Sequence, residues 1–121
     1  MTDTGSVASL SRADFEALVD QAIDGIPAQL ADHVENCVIL VEDDPPPGQR
    51  LLVLYEGIPL TERGQGYAGV LPDRITLFRR PILASCSDMA GVVRQVRITV
   101  VHEIAHHFGI DDERMEELGY A

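Results

Sequence analysis

Tryptophan is missing from this chain, and aromatic residues make up only 5% of it. A core without large rings has to be filled by Val, Ile, Leu and Ala. The hydrophobic content of 45% in 121 residues is enough for one domain with a modest core of that kind. Basic residues are also few, 9 against 20 acidic, for a formal net charge of −11. That imbalance excludes nucleic acid as an expected partner, because binding there is led by cationic contacts to phosphate. It excludes an anionic membrane surface for the same reason. A cationic partner or substrate is permitted, although excess acid on a surface serves solubility first. Cysteine occurs twice, at Cys37 and Cys86, without C-x-x-C spacing. The pair reads as two small core residues rather than a disulfide or a metal knuckle. No apolar run approaches the roughly 20 residues of a membrane helix. Residues 1–11 lack a basic, apolar leader pattern and are not expected to act as a signal peptide. The expectation is a soluble, cytoplasmic protein with no nucleic-acid or membrane partner.

What is present organises itself into alternating helix and strand signals. Residues 1–11, rich in Ser, Thr and Gly, read as a flexible N-terminal tail before a single domain over 12–121. Ser11 is placed to cap a helix, with Asp14 three residues on in an approximate capping box. Phe15, Leu18, Val19, Ala22, Ile23 and Ile26 then recur at helical spacing. Gly25 and Pro27 punctuate its end, and a short second helix follows at about 28–34. The β-branched run at 36–43 predicts a buried strand. Asp44-Pro45-Pro46-Pro47-Gly48 breaks it, since proline has no ladder donor. A second strand resumes at 51–56, and the short connection predicts that these two are antiparallel neighbours. Residues 57–73 form a long irregular segment of the kind that often carries function. A third strand is expected at 74–79, and its charged ends suggest a sheet edge. A helical turn follows at 81–86. Asp88 then caps a long amphipathic helix to about residue 108, in which Met89, Val92, Val93, Val96, Val100, Ile104 and Phe108 mark the buried face. A short acidic helix at 111–118 completes the pattern.

Chemistry concentrates near the end of that long helix, in His102-Glu103-Ile104-Ala105-His106-His107-Phe108-Gly109-Ile110-Asp111-Asp112. On a helix, His102 and His106 are i and i+4, so both imidazoles project from one face a turn apart. Two neutral imidazoles so placed can hold one zinc ion. Glu103 lies about 100° round the helix, within reach of a water beside the metal rather than of the metal itself. This is H-E-x-x-H, in which the Glu is general base. Gly109 supplies the left-handed residue that ends the helix and turns the chain back. Asp112 then stands where a third ligand is needed, with Asp111, Glu113 and Glu116 close by as alternatives. His107 points away from His106 and reads as a neighbour of the site rather than a ligand. A structural zinc site most often includes Cys. Both cysteines are far from the motif in sequence, so an open, water-bearing site is favoured.

Beyond the motif, several blocks occur in a recognisable order. They are Phe15-Glu16-Ala17-Leu18-Val19, then Val41-Glu42-Asp43 before the prolines, then Leu54-Tyr55-Glu56-Gly57-Ile58-Pro59-Leu60-Thr61-Glu62-Arg63. Leu71-Pro72-Asp73-Arg74-Ile75-Thr76-Leu77-Phe78-Arg79 follows, then the histidine stretch extended to Asp112-Glu113-Arg114, with Glu117-Leu118-Gly119-Tyr120 last. With these blocks the chain resembles the minimal zincin-like metallopeptidases, a family of small bacterial proteins. The resemblance implies an α+β fold, a small sheet of about three strands packed on a C-terminal active-site helix. It implies His102, His106 and Asp112 as zinc ligands, Glu103 as catalytic base and peptidase chemistry, without naming a substrate; an open cleft would suit a short peptide or unfolded protein. Compared with metzincins, the third position carries Asp rather than His, and the residues after Asp112 leave no room for a downstream Met-turn.

The expected activity is therefore hydrolysis of a peptide bond, with zinc polarising the carbonyl and Glu103 moving the proton from water to the leaving amine. An extended peptide could pair with the edge strand expected at 74–79. Tyr55, Tyr67, Tyr120 and the arginines are the candidates to stabilise the oxyanion. The alternative is a metal-binding or regulatory module that keeps the zincin core without turnover.

Overall fold

The computed structural model describes residues 7–35, 37–57 and 73–119, with the side chains of Ala8 and Asp112 outside the description. Nearly all of the expected irregular segment at 57–73, with Tyr67 in it, and Tyr120 lie outside the described residues. A 3-10 turn, Val7–Ser9, precedes α1 (Arg12–Asp24) and α2 (Ala28–Glu35). Strands β1 (Cys37–Glu42), β2 (Val53–Glu56) and β3 (Asp73–Phe78) come next, then α3 (Arg79–Ala84), α4 (Met89–Phe108) and α5 (Asp112–Glu117). The protein is thus a small α+β domain, as its sequence predicts. No helix among the described residues is long and apolar enough to cross a membrane.

Local chemistry accounts for the helices. Ser11 adopts an extended backbone and its Oγ accepts the Asp14 N–H at 3.1 Å, which satisfies one orphan donor of α1. At the other end, Arg97 of α4 donates from Nε to the Ala22 carbonyl at 3.0 Å and from Nη2 to Gln21 at 3.5 Å. Its guanidinium occupies the space a side chain at Gly25 would need. Asp88 caps α4 by accepting the Gly91 N–H at 2.7 Å. Val92, Val96, Val100, Val101 and Ile104 of that helix are fully buried. They pack against Phe15, Val19 and Ala22 of α1 and against the sheet. Leu30 and Val34 of α2 and Ile82 and Leu83 of α3 close the same aliphatic core. Val7 joins it from the 3-10 turn.

The sheet corrects two expectations. Its order is β1-β3-β2, with β1 parallel to β3 and β2 antiparallel to β3. The first two strands are therefore not antiparallel neighbours, and the third is central rather than an edge. The physical reason lies in β3 itself. Ile75, Thr76, Leu77 and Phe78 are all buried, so both faces of this strand are covered. A strand covered on both faces takes the middle of a sheet, where each flank also satisfies its backbone. The charged residues that suggested an edge, Arg74 and Arg79, stand at its two ends. Arg79 makes a 2.8 Å ion pair with Asp43 and donates to the Leu10 carbonyl at 2.7 Å. The connection through Pro45-Pro46-Pro47 is not a tight hairpin, and it carries the chain past the slot that β3 fills. Among the described strands β1 and β2 are left as the two edges.

Candidate metal centre

The C-terminal third of α4 carries the histidine motif. The buried positions Thr99, Val100, Val101, Ile104 and Ala105 hold this part of the helix on the core. His102 and His106 sit on the solvent side, and Glu103 is half-buried between the two environments. The two imidazoles thus belong to one side of the helix, a turn apart.

Gly109 ends α4 at φ 69°, ψ 28°, in the left-handed region expected of it. The Gly109 and Ile110 N–H groups both turn back to the Ala105 carbonyl, the latter at 3.0 Å. Two residues later Asp111 caps α5, its Oδ1 accepting the Arg114 N–H at 2.8 Å. The Asp111 carboxylate is thus engaged as a helix cap. Asp112 is the first residue of α5, and its side chain lies outside the description. Met115 is buried and fastens the short helix to the core. Glu113 and Glu116 are exposed. Among the described residues no group of three or more His, Cys, Asp or Glu side chains is placed to hold a metal. The chain reversal at Gly109 brings Asp112 in as the first residue of α5.

A second cluster adjoins the motif. His107 Nε2 lies 3.9 Å from Glu103 Oε1, and the His107 ring stacks on Tyr55 of β2 with centroids 3.8 Å apart and planes 15° from parallel. His106 meets His107 edge-on at 5.2 Å. The Tyr55 hydroxyl donates to Asp73 Oδ2 at 2.6 Å. Cys37 Sγ lies 3.8 Å from that hydroxyl and 3.4 Å from the His33 carbonyl oxygen. Burial, then the bond to Asp73, then the neighbouring Cys37, push the Tyr55 phenol above its ordinary range. It stays protonated at neutral pH with its one proton committed to Asp73. Of the tyrosines named as oxyanion candidates, Tyr55 reaches the motif, but through its ring rather than its hydroxyl. Burial likewise raises the Cys37 thiol above its usual value, against a smaller opposing effect of the Tyr55 hydroxyl. Both cysteines are free and half-buried.

Sequence reasoning singled out Tyr55 but not its partners. Cys37 and Asp73 face each other across the parallel β1–β3 pair, and Tyr55 stands opposite Ile75 on the other flank. Only the strand order brings the three together, and no local spacing announces it.

A family model described as zincin-like metallopeptidase matches residues 34–120. The chain belongs to the zincin-like metallopeptidase family. The match runs from the end of α2 through the whole sheet to α5, so this zincin-like chain carries its motif in the family's own frame and not as an isolated pattern. Membership suggests a metallopeptidase type of function. None of the curated proteins compared with the chain matches it.

Proposed function

We propose that this zincin-like protein is a zinc-dependent peptidase, with His102, His106 and Asp112 as metal ligands and Glu103 as general base. The observation that carries the reading is His102 and His106 one turn apart on the exposed side of α4, followed by the left-handed Gly109 and a new helix opening at Asp112. The donor set fits the ion: two imidazoles and one carboxylate suit zinc and leave a position open. Bound zinc supplies Lewis acidity to the scissile carbonyl and to water.

The rest is the work of the chain. Glu103 is half-buried beside the exposed histidines, placed to take a proton from water and pass it to the departing amine. His107, itself partly exposed, stands against Glu103 one turn further along α4. Held by the Tyr55 stack, it limits the rotamers Glu103 can adopt. A substrate in extended conformation would pair with the outer edge of β2, which among the described strands is an edge strand and touches the motif helix through Tyr55. This replaces the pairing expected on residues 74–79, which lie in the sheet centre. An unfolded segment suits that geometry, because a strand edge reads backbone and demands a chain with free amides.

The test uses the purified chain equilibrated with zinc. About one zinc should be retained by the wild type and by Glu103→Gln, while His102→Ala and His106→Ala lose it. Wild type should cleave an unstructured, fluorophore-labelled protein, and Glu103→Gln should be slower by at least about a hundredfold, as expected for a lost general base. Equal cleavage by both sinks the catalytic assignment. Zinc retained with no cleavage by either transfers the reading to a metal-binding module.

A further inference from the structure

The edge of the sheet farthest from the motif faces a groove. β1 forms one wall and α1 the other, enclosing about 660 Å³. The floor is apolar, with Val19 and Val41 buried and Ile23 and Ile39 half-buried. The α1 rim is a row of carboxylates, Glu16, Asp20 and Asp24, one helical turn apart and all exposed. On the opposite face of β1, Val38 and Leu40 are each 38% exposed.

One residue already shows what this groove accepts. Arg12, at the first turn of α1, donates from Nη2 to the Val41 carbonyl on β1 and stands 3.5 Å from the Glu16 carboxylate. A guanidinium thus sits between an α1 acid and a β1 backbone oxygen. Further along, Asp20 and Asp24 form no ion pair among the described residues.

The geometry points to a second binding site: the β1 edge takes up an extended protein segment of alternating basic and apolar residues by strand addition. The period follows from the pleat. Side chains of an added strand alternate between faces. Those on the α1 side meet Asp20 and Asp24, and those on the other side lie beside Val38 and Leu40. Basic residues with long aliphatic stems also cover the apolar floor while their heads reach the rim. The groove runs along three turns of α1, about 18 Å, which accommodates about five residues of extended chain.

Charge separates this occupant from others. A second copy of the chain would set its own acidic α1 row near this one, with −11 on each partner. A single divalent ion cannot bridge the row, because Glu16 and Asp24 are about 12 Å apart along the helix and calcium ligands approach to about 2.4 Å. The site is independent of zinc and of Glu103, since the motif meets the sheet at β2.

The test is a fluorescence-anisotropy titration with an alternating Lys-Val peptide about as long as β1, using the full chain carrying Glu103→Gln so that the probe is not cut. Binding is expected with a micromolar Kd, weakening about tenfold or more in an Asp20→Lys/Asp24→Lys variant, whose sites are exposed and tolerate the change. The same peptide with alternate backbone amides methylated keeps its charge but cannot pair, and should also bind at least about tenfold more weakly. Carbodiimide coupling localises the contact. The chain contains no lysine, so peptide amines should couple to Asp20 and Asp24 with little self-linking. Equal affinity for the methylated peptide overturns strand addition. Coupling confined to the acids of α5, or binding unaffected by the double variant, overturns the site. A concentration-dependent dimer in sedimentation that excludes the peptide assigns the edge to a second copy and overturns the partner.

Discussion

Tyr55 joins the motif to the sheet with a single side chain, and the two halves of its role are separable. Tyr55→Phe keeps the ring against His107 and loses only the bond to Asp73. It should lower the unfolding free energy by about 1 kcal/mol and leave zinc retention unchanged. Tyr55→Ala removes the stack as well and should be the more destabilising of the two. Urea unfolding of both variants with a parallel zinc assay checks this, and a Phe variant as damaged as Ala refutes the division. Asp43 is a second residue with a readable charge state. The Arg79 hydrogen bond, aided by the positive charges of Arg79, Arg80 and Arg12, holds its carboxyl below the usual range. A depressed folded value contributes stability that is present above the unfolded pKa of about 3.9 and is lost as pH falls through the lower folded value. Asp43→Asn should therefore flatten the acid limb of the stability profile below about pH 4 and leave the slope near neutrality unchanged.

At the level of elements, the sheet order assigns unequal weight to strands that read alike in sequence. Leu77 is fully buried in central β3, so Leu77→Ala should cost about 2–5 kcal/mol through lost burial and a cavity. Leu40 on edge strand β1 is 38% exposed, and Leu40→Ala should cost under about 1 kcal/mol. Comparable losses by denaturant titration would contradict the order β1-β3-β2. The turn after α4 offers a further check. Gly109 has φ 69° with open space around it, so an added methyl meets backbone strain rather than a clash. Gly109→Ala should destabilise by about 1–2 kcal/mol, and Gly109→Asn by less, because Asn tolerates the left-handed region. If Asp112 completes the metal site, the Ala variant should also hold zinc more weakly.

For the whole molecule, charge is the controlling quantity. A formal −11 on 121 residues is an excess of negative charge that the nine arginines leave uncompensated, and it repels itself in the compact state. Raising salt from about 10 mM to about 150 mM shortens the Debye length from about 30 Å to about 8 Å. The thermal midpoint should therefore rise with added sodium chloride; a fall would show that attractive pairs such as Arg79–Asp43 outweigh the general repulsion. The same charge makes the two sheet edges different places. The β2 edge adjoins the histidines, and the β1 edge adjoins a row of acids.

Much of this was legible in the chain itself, wherever the determining interactions are short in sequence. Ser11, Asp88 and Gly109 act within one turn of their own positions, and the spacing of Val92, Val96, Val100 and Ile104 repeats along one helix. The long helices, their caps and the one-face placement of His102 and His106 therefore follow from local rules, whereas the turn expected at 81–86 forms two residues earlier, over Arg79–Ala84. Even the family frame was readable, because its blocks keep their order. The pairing of strands was not. Which strand takes the centre depends on how many faces the rest of the molecule covers, and that is settled by α1, α4 and their packing far away in sequence. Charged ends made β3 look like an edge until its buried run from Ile75 to Phe78 was seen to be covered on both sides. For the same reason the contact of Tyr55 with His107 and Asp73, and the division into a β2 edge beside the motif and an acidic β1 edge opposite, belong to the tertiary structure alone: they are products of register between segments that share no local signal.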